Sequence, residues 1–220
     1  MAKTLTFLHT SPVHIATFTR LLAQTDPVIP IRHIVDPSLL DEARAAGHIT
    51  PQLAQRVADT VRTALQNDAA VVVCTCSTIG GCAEQAHQAA GAAVLRVDRA
   101  MAEAAVAVGP RIILAATLSS TLAPTRELLL EVALQAGQLV VITEVLCEEA
   151  WSRFEAGDHD GYLEEIAKVL RQVAHTGDVI VLAQASMAGA AERSPDIAIP
   201  ILSSPELGVQ AAVAAYYAAT

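Results

Sequence analysis

Val71-Val72-Val73-Cys74-Thr75-Cys76-Ser77-Thr78-Ile79-Gly80-Gly81 is the stretch on which the rest of the chain turns. Three β-branched residues in a row, Val71 to Val73, read as a buried strand. The strand stops at Cys76-Ser77-Thr78. Gly80-Gly81 then permits a tight turn, and Ala83 to Ala90 reads as a helix. In open parallel α/β sheets, ligands bind at the carboxyl ends of strands. Here that end carries a thiol, two hydroxyls and the N–H groups of a helix start, which together can hold an anion.

Working outward, strands and helices alternate. Leu5 to His9 reads as a strand, and Ser11-Pro12 as the start of a helix whose stripe is Ile15, Phe18, Leu21 and Leu22. Ile31 to Val35 is a strand. After Gly47-His48, Thr50-Pro51 opens a helix with Leu53, Val57, Val61 and Leu65 at four-residue spacing. Ala93 to Val97 closes the first half, ending at Asp98. The order then repeats. Arg111 to Ala115 is a strand, followed by a helix to about Gln135 that Gly137 ends. Leu139 to Val145 is a strand, with helical segments around Trp151 and from Tyr162 to Val173. Asp178 to Ala183 and Ile199 to Leu202 are strands, and Pro205 to Ala218 is the last helix. Gly157-Asp158-His159-Asp160 is a loop and helix-cap signal. This alternation implies an α/β fold with parallel sheets and right-handed crossovers. Val71–Ser77 and Val179–Ser186 hold the same place in each half, so the chain reads as two pseudo-symmetric lobes. Each is a short parallel sheet flanked by helices, with residues 1–98 plus 205–220 in one and 99–204 in the other. The site is expected in the cleft between them.

Composition narrows the function. The chain has 220 residues, 53% of them hydrophobic but only 3% aromatic, so small residues must pack helices closely on the sheets. A net charge of −9 with no Lys/Arg run argues against nucleic acid and anionic membrane. No apolar run reaches about 18 residues, the length a membrane span needs. No signal-peptide core follows Lys3, and the four cysteines lack disulfide-framework spacing; both point to reduced thiols in the cytoplasm. Cys74-Thr75-Cys76 has no second Cys/His cluster to complete a metal site. Neither a G-x-G-x-x-G fingerprint nor a P-loop is present, and no stretch demands a cofactor. An Ala-rich α/β chain is compatible with a homo-oligomer.

Cys76 is the candidate for chemistry. Helix N-termini favour the thiolate of a cysteine placed on them. Such a thiol acts as a general base on a carbon acid or as a nucleophile. Proton removal beside a carboxylate builds an oxyanion that needs aimed donors. Ser77, Thr78, Thr117, Ser119 and Ser120 can supply them, with Ser11 and Ser186 as further loop donors. Gln184, followed by Ala185, can donate to a substrate carboxylate. His9 ends its strand, where an acid or a carboxylate-binding group would sit. The same Ser and Thr residues also serve as ordinary helix caps. Cys74, deeper in the strand, and Cys82, early in the following helix, read as core; Cys147 reads as core or as a substitute second acid.

The layout resembles the aspartate/glutamate/hydantoin racemase superfamily over nearly the whole chain. Cys76-Ser77-Thr78 is similar to that superfamily's first Cys-Asn-Thr motif, with Ser77 in place of Asn. Ala115-Ala116-Thr117 through Thr121 resembles the strand and Ala-Thr loop opening its second lobe. Leu182-Ala183-Gln184-Ala185-Ser186-Met187 resembles the Leu-Gly-Cys-Ala-Gly-Met of the hydantoin branch, and Ile199 to Pro205 its closing strand. The resemblance implies a cofactor-independent isomerase acting next to a carboxylate or acyl group of a small carboxylate, amino-acid or hydantoin-like substrate, with Cys76 as thiol acid/base. It also shows a departure. Two-base racemases of the superfamily use a cysteine from each lobe, and Gln184 stands where the second would be. A single thiol also suits the superfamily's arylmalonate-decarboxylase type of lyase, or a nucleophilic cis-trans isomerase. A protein that binds a small carboxylate without turning it over is the reading from another class.

Overall fold

The computed structural model describes residues 3–90 and 93–220. They form two compact units, Met1–Arg99 with Pro205–Thr220 and Ala100–Ser204.

In the first unit, β1 (Thr4–His9), β2 (Ile31–Val35), β3 (Ala69–Cys74) and β4 (Ala93–Arg96) make an all-parallel sheet in the order β2-β1-β3-β4. β3 is central, and every residue in it is buried. That is why it reads as an unbroken Ala/Val run, since a parallel strand covered on both faces has no polar side. Its side chains alternate. Val72 and Cys74 join a core with Leu8, Leu39, Leu53, Val57, Val61 and Ile79. Leu8 lies on β1, and the others come from α2 (Ser38–Ala46), α3 (Pro51–Gln66) and α4 (Ser77–Ala90). Phe18 of α1 (His14–Thr25) packs on Phe7 of β1 with ring centroids 5.1 Å apart. α3 is capped as its sequence demands, with Thr50 Oγ1 accepting the Leu53 N–H at 3.1 Å and Pro51 at the first position. α9 (Ser204–Ala219) packs on this unit. Tyr216 donates its hydroxyl to the Lys3 carbonyl at 3.0 Å, and a Cβ at Gly208 would lie 2.5 Å from the Val97 carbonyl oxygen.

The second unit repeats the topology. β5 (Arg111–Ala116), β6 (Val141–Leu146), β7 (Val179–Leu182) and β8 (Ile201–Ser203) are all parallel, in the order β6-β5-β7-β8. α5 (Arg99–Val108) precedes them. α6 (Ser119–Gln135), α7 (Glu148–Glu155) and α8 (His159–Val173) connect them, with a short 3-10 turn at Ala185–Ala190. The core gathers Ile113, Ala115, Tyr162, Ile166, Leu170, Ile180, Leu182 and Met187. Gly137, with φ +67°, lies just past the end of α6, and Asp158 accepts the Gly161 N–H at 2.9 Å to cap α8.

The structure departs from the sequence reading in several places. α4 starts at Ser77 and runs straight through Gly80-Gly81 instead of turning there. The reason is packing. A Cβ at Gly80 would sit 3.1 Å from Arg96 Cβ, so the absent side chain makes room for Arg96. α1 begins at His14, not after Ser11, and its N-cap residue, Val13, makes no side-chain capping bond. Two helices, α2 and α5, escape the sequence reading, although Leu39 and Ala43 of α2 and Met101, Ala102 and Ala105 of α5 are buried. Asp98, where the sequence reading ends the strand of Ala93 to Val97, is no exposed loop residue. It is wholly buried and takes both Nε and an Nη of Arg96, at 2.7 and 3.0 Å.

Candidate active site

Strand register shows which positions correspond. In the first unit Leu8 pairs with Cys74, and in the second Ala115 pairs with Leu182. One residue further, the Thr75 N–H donates to the Leu8 carbonyl at 2.9 Å, and the Ala183 N–H donates to the Ala115 carbonyl at 2.9 Å. Cys76 and Gln184 therefore occupy the same position in their respective units, two residues beyond the central strand. On the neighbouring strands, the Asp36 N–H bonds the His9 carbonyl and the Cys147 N–H bonds the Ala116 carbonyl, so Cys147 corresponds to Asp36.

In the first unit Cys76, Ser77 and Thr78 lie together where β3 gives way to α4. Cys76 is half-buried and packs against the core containing Leu8, Cys74 and Ile79. Ser77 and Thr78 are buried within the first turn. Ser11 lies half-buried in the loop after β1, its Oγ 3.5 Å from the Val13 N–H. His9 has a different place from the one expected. It has no exposed surface, and both ring nitrogens are engaged inside the unit. The Thr75 hydroxyl donates to the Leu8 carbonyl at 3.1 Å, so it accepts the Nδ1–H of His9 at 2.8 Å. Nε2 of His9 then accepts from Nδ1 of His33 at 2.8 Å. Nε2 of His33 accepts the Thr19 hydroxyl at 2.9 Å. Burial, with His33 and His14 alongside, pushes His9 down to about 3, so the ring is neutral. His9 thus anchors the backbone ahead of Cys76 and has no nitrogen left for a ligand.

In the second unit Thr117, Gln184 and Ser186 form one cluster. Gln184 Oε1 accepts the Thr117 N–H at 2.6 Å, the Thr117 hydroxyl at 3.0 Å and the Leu118 N–H at 3.3 Å. Tyr162 Oη is 2.8 Å from Ser186 Oγ and 3.5 Å from Thr117 Oγ1. Burial raises the Tyr162 hydroxyl above its ordinary value, outweighing the two hydroxyls beside it. Ser119 and Ser120 continue into the first turn of α6. Ser119 is exposed, whereas the Ser120 hydroxyl is buried without a partner among the described residues. Ala185 follows Gln184, half-buried.

Three groups belong to these clusters that sequence reasoning missed. Tyr162 is 24 residues from Ser186 and 45 from Thr117, and no spacing rule joins them. His14, at the start of α1, has its ring centroid 6.4 Å from that of His9. Thr75 reads as a spacer between two cysteines. The remaining thiols are more enclosed. Cys74 is fully buried, and burial raises its thiol far above the ordinary range. Cys147 is buried too, pushed up to about 11, and borders a surface cavity of about 330 Å³ with Glu148, Glu149, Glu165 and Lys168. All four cysteines are free. Among the described residues no group of three His, Cys, Asp or Glu side chains is arranged to hold a metal ion, and no helix is long and apolar enough to cross a membrane.

Two parallel four-stranded units with matching strand-end loops define an α/β protein of repeated topology. The family model for Asp/Glu/hydantoin racemase matches residues 16–212. The chain belongs to that family, and with it to the racemase-type enzymes. The fold agrees. Aspartate racemase from Picrophilus torridus superposes with a TM-score of 0.70 at 16% identity, over 98% of this chain and 95% of that one. Glutamate racemase from Francisella tularensis, solved with D-glutamate, gives 0.72 at 13% identity over 98% and 81%. A point mutant of arylmalonate decarboxylase in its sulfate-associated form gives 0.63 at 17% identity over 99% and 94%. No curated protein sequence matches significantly.

Proposed function

We propose that this chain is a cofactor-independent isomerase acting at the carbon next to a carboxylate or acyl group of a small substrate, with Cys76 as the thiol acid/base. One observation carries the reading: of the two corresponding strand-end positions, one holds a half-buried cysteine at a helix start and the other holds Gln184. The N-terminal end of α4 carries the positive end of the helix dipole, which favours a developing oxyanion nearby. Cys76 takes the proton from the substrate carbon. Thr78 and Ser11 of the same unit are the candidate donors for the enediolate oxygens. Ser77 extends that group, and the Thr117–Ser186 cluster with Ser119 is a candidate carboxylate-binding group of the second unit. The substrate class is a small carboxylate, in line with the D-glutamate complex of the Francisella glutamate racemase.

A second reading has its own observation. The Gln184 oxygen is bound by three donors, and an amide cannot pass a proton. With one acid/base, loss of carbon dioxide followed by proton donation from the Cys76 thiol to the carbon, the thiolate then taking a proton from water, balances as readily as removal and return of one proton by Cys76. The acidic charge and the family fit an enzyme working in the cytoplasm.

The test is NMR-detected exchange of the α-proton in deuterium oxide, run on aspartate, glutamate, hydantoins and phenylmalonate. Wild type should exchange at least one of them, and Cys76→Ala should slow that exchange by about 10²-fold or more. Inversion without carbon dioxide release identifies an isomerase; release identifies the lyase. Exchange undiminished in Cys76→Ala would sink both readings, and no exchange of any of these compounds by wild type would leave a nucleophilic isomerase or a binding protein.

A further inference from the structure

The orientation of the Gln184 amide is set by its partners. Two backbone N–H groups and a hydroxyl converge on one end of it, at 2.6, 3.3 and 3.0 Å. The Leu118 N–H and Thr117 N–H can only donate, so the atom facing them must be the carbonyl oxygen; an NH2 there would set donors against donors. The nitrogen end is in the opposite condition. Among the described residues nothing accepts from Gln184 Nε2. It is also absent from the buried polar atoms lacking a partner, which are the hydroxyls of Ser120, Ser194 and Ser204. Two N–H bonds therefore open onto solvent just beyond the carboxyl end of β7, where parallel sheets meet their ligands.

We propose that Gln184 is a specificity-determining donor, its oxygen locked by the β5–α6 connection so that its amide N–H pair meets an anionic oxygen of the ligand. This rests on the small-carboxylate reading above, and it gives the position a task other than moving protons. A cysteine there would exchange a proton with the substrate. A locked amide holds charge in place and stays neutral. The rest of the cluster serves that lock: Thr117 supplies two of the three donors, and Tyr162 braces Thr117 and Ser186.

Gln184→Glu is the informative variant, because a carboxylate can still accept from Thr117 and Leu118 and so keeps the lock. Its second oxygen replaces the N–H pair with negative charge. Calorimetric titration with malonate, D-aspartate and hydantoin-5-acetate needs no turnover, so the result is separate from the fate of the Cys76 chemistry. Wild type should bind at least one, and Gln184→Glu should bind it about ten- to a hundredfold more weakly with its fold intact by circular dichroism. The side-chain amide pair missing from the ¹H–¹⁵N spectrum of the variant identifies Gln184 in wild type. That pair should shift when the ligand is added. Equal affinity in the two proteins, a ligand that leaves that pair unmoved, or a wild type that binds none of the three carboxylates overturns the proposal.

Discussion

His9 Nδ1 lies 2.8 Å from Thr75 Oγ1, a bond that ties the end of β1 to the residue just before Cys76. The ring is buried and neutral, held down to about 3 against an ordinary value of 6.5. The unfolded chain takes up a proton at His9 once pH falls below about 6.5, while the folded chain does not until about 3. More protons on the unfolded state means stability falls as pH falls. His14 and His33, lowered by burial, act in the same direction. Unfolding free energies from urea titrations between pH 7 and 4.5 should therefore drop, by up to about 1.4 kcal/mol per pH unit from His9 alone. His9→Gln should flatten that slope. A slope equal to wild type would remove His9 as its source.

Arg96 and Asp98 form a buried pair beneath the first turn of α4. Removing Asp98 takes from the buried Arg96 the carboxylate bonded to both its Nε and an Nη. Asp98→Ala should cost about 3–5 kcal/mol in chemical denaturation. Gly80→Ala, which pushes a methyl against Arg96, should cost about 1–3 kcal/mol.

The four thiols differ in access. Cys74 and Cys147 are buried and held protonated, whereas Cys76 is half-buried at the start of α4. Brief iodoacetamide treatment of the native protein, read by peptide mass spectrometry, should label Cys76 while sparing Cys74 and Cys147. Cys82 should lag behind Cys76, because partial burial raises its thiol. In urea all four should react alike.

Tyr162→Phe keeps the ring against Phe154 (centroids 5.1 Å apart) and removes only the hydroxyl beside Ser186 and Thr117. Thermal or urea unfolding should show a loss of about 0.5–1.5 kcal/mol. If Gln184 is positioned through Thr117, carboxylate binding should weaken as well, and a change in stability alone would limit Tyr162 to packing.

The sequence by itself determined the α/β alternation, the repeat of strand topology and the place of Cys76. These follow from local rules. Buried parallel strands need unbroken apolar runs such as Val71–Val73, helices need four-residue spacing such as Leu53-Val57-Val61, and strand ends need small polar residues. It also set Gln184 opposite a family cysteine in the motif order, and register then put it at the position Cys76 holds in the first unit. Tertiary structure decided what local rules do not carry. Gly80-Gly81 became helix because Arg96, sixteen residues from Gly80, needed the space of a side chain. His9 became a buried link because its partners come from elsewhere in the sheet, His33 from β2 and Thr75 from just past the end of β3. Which end of the Gln184 amide is free was decided by Thr117 and Leu118, more than sixty residues away. A hydrogen bond's direction depends on every donor and acceptor around it, and those neighbours exist only once the chain has folded.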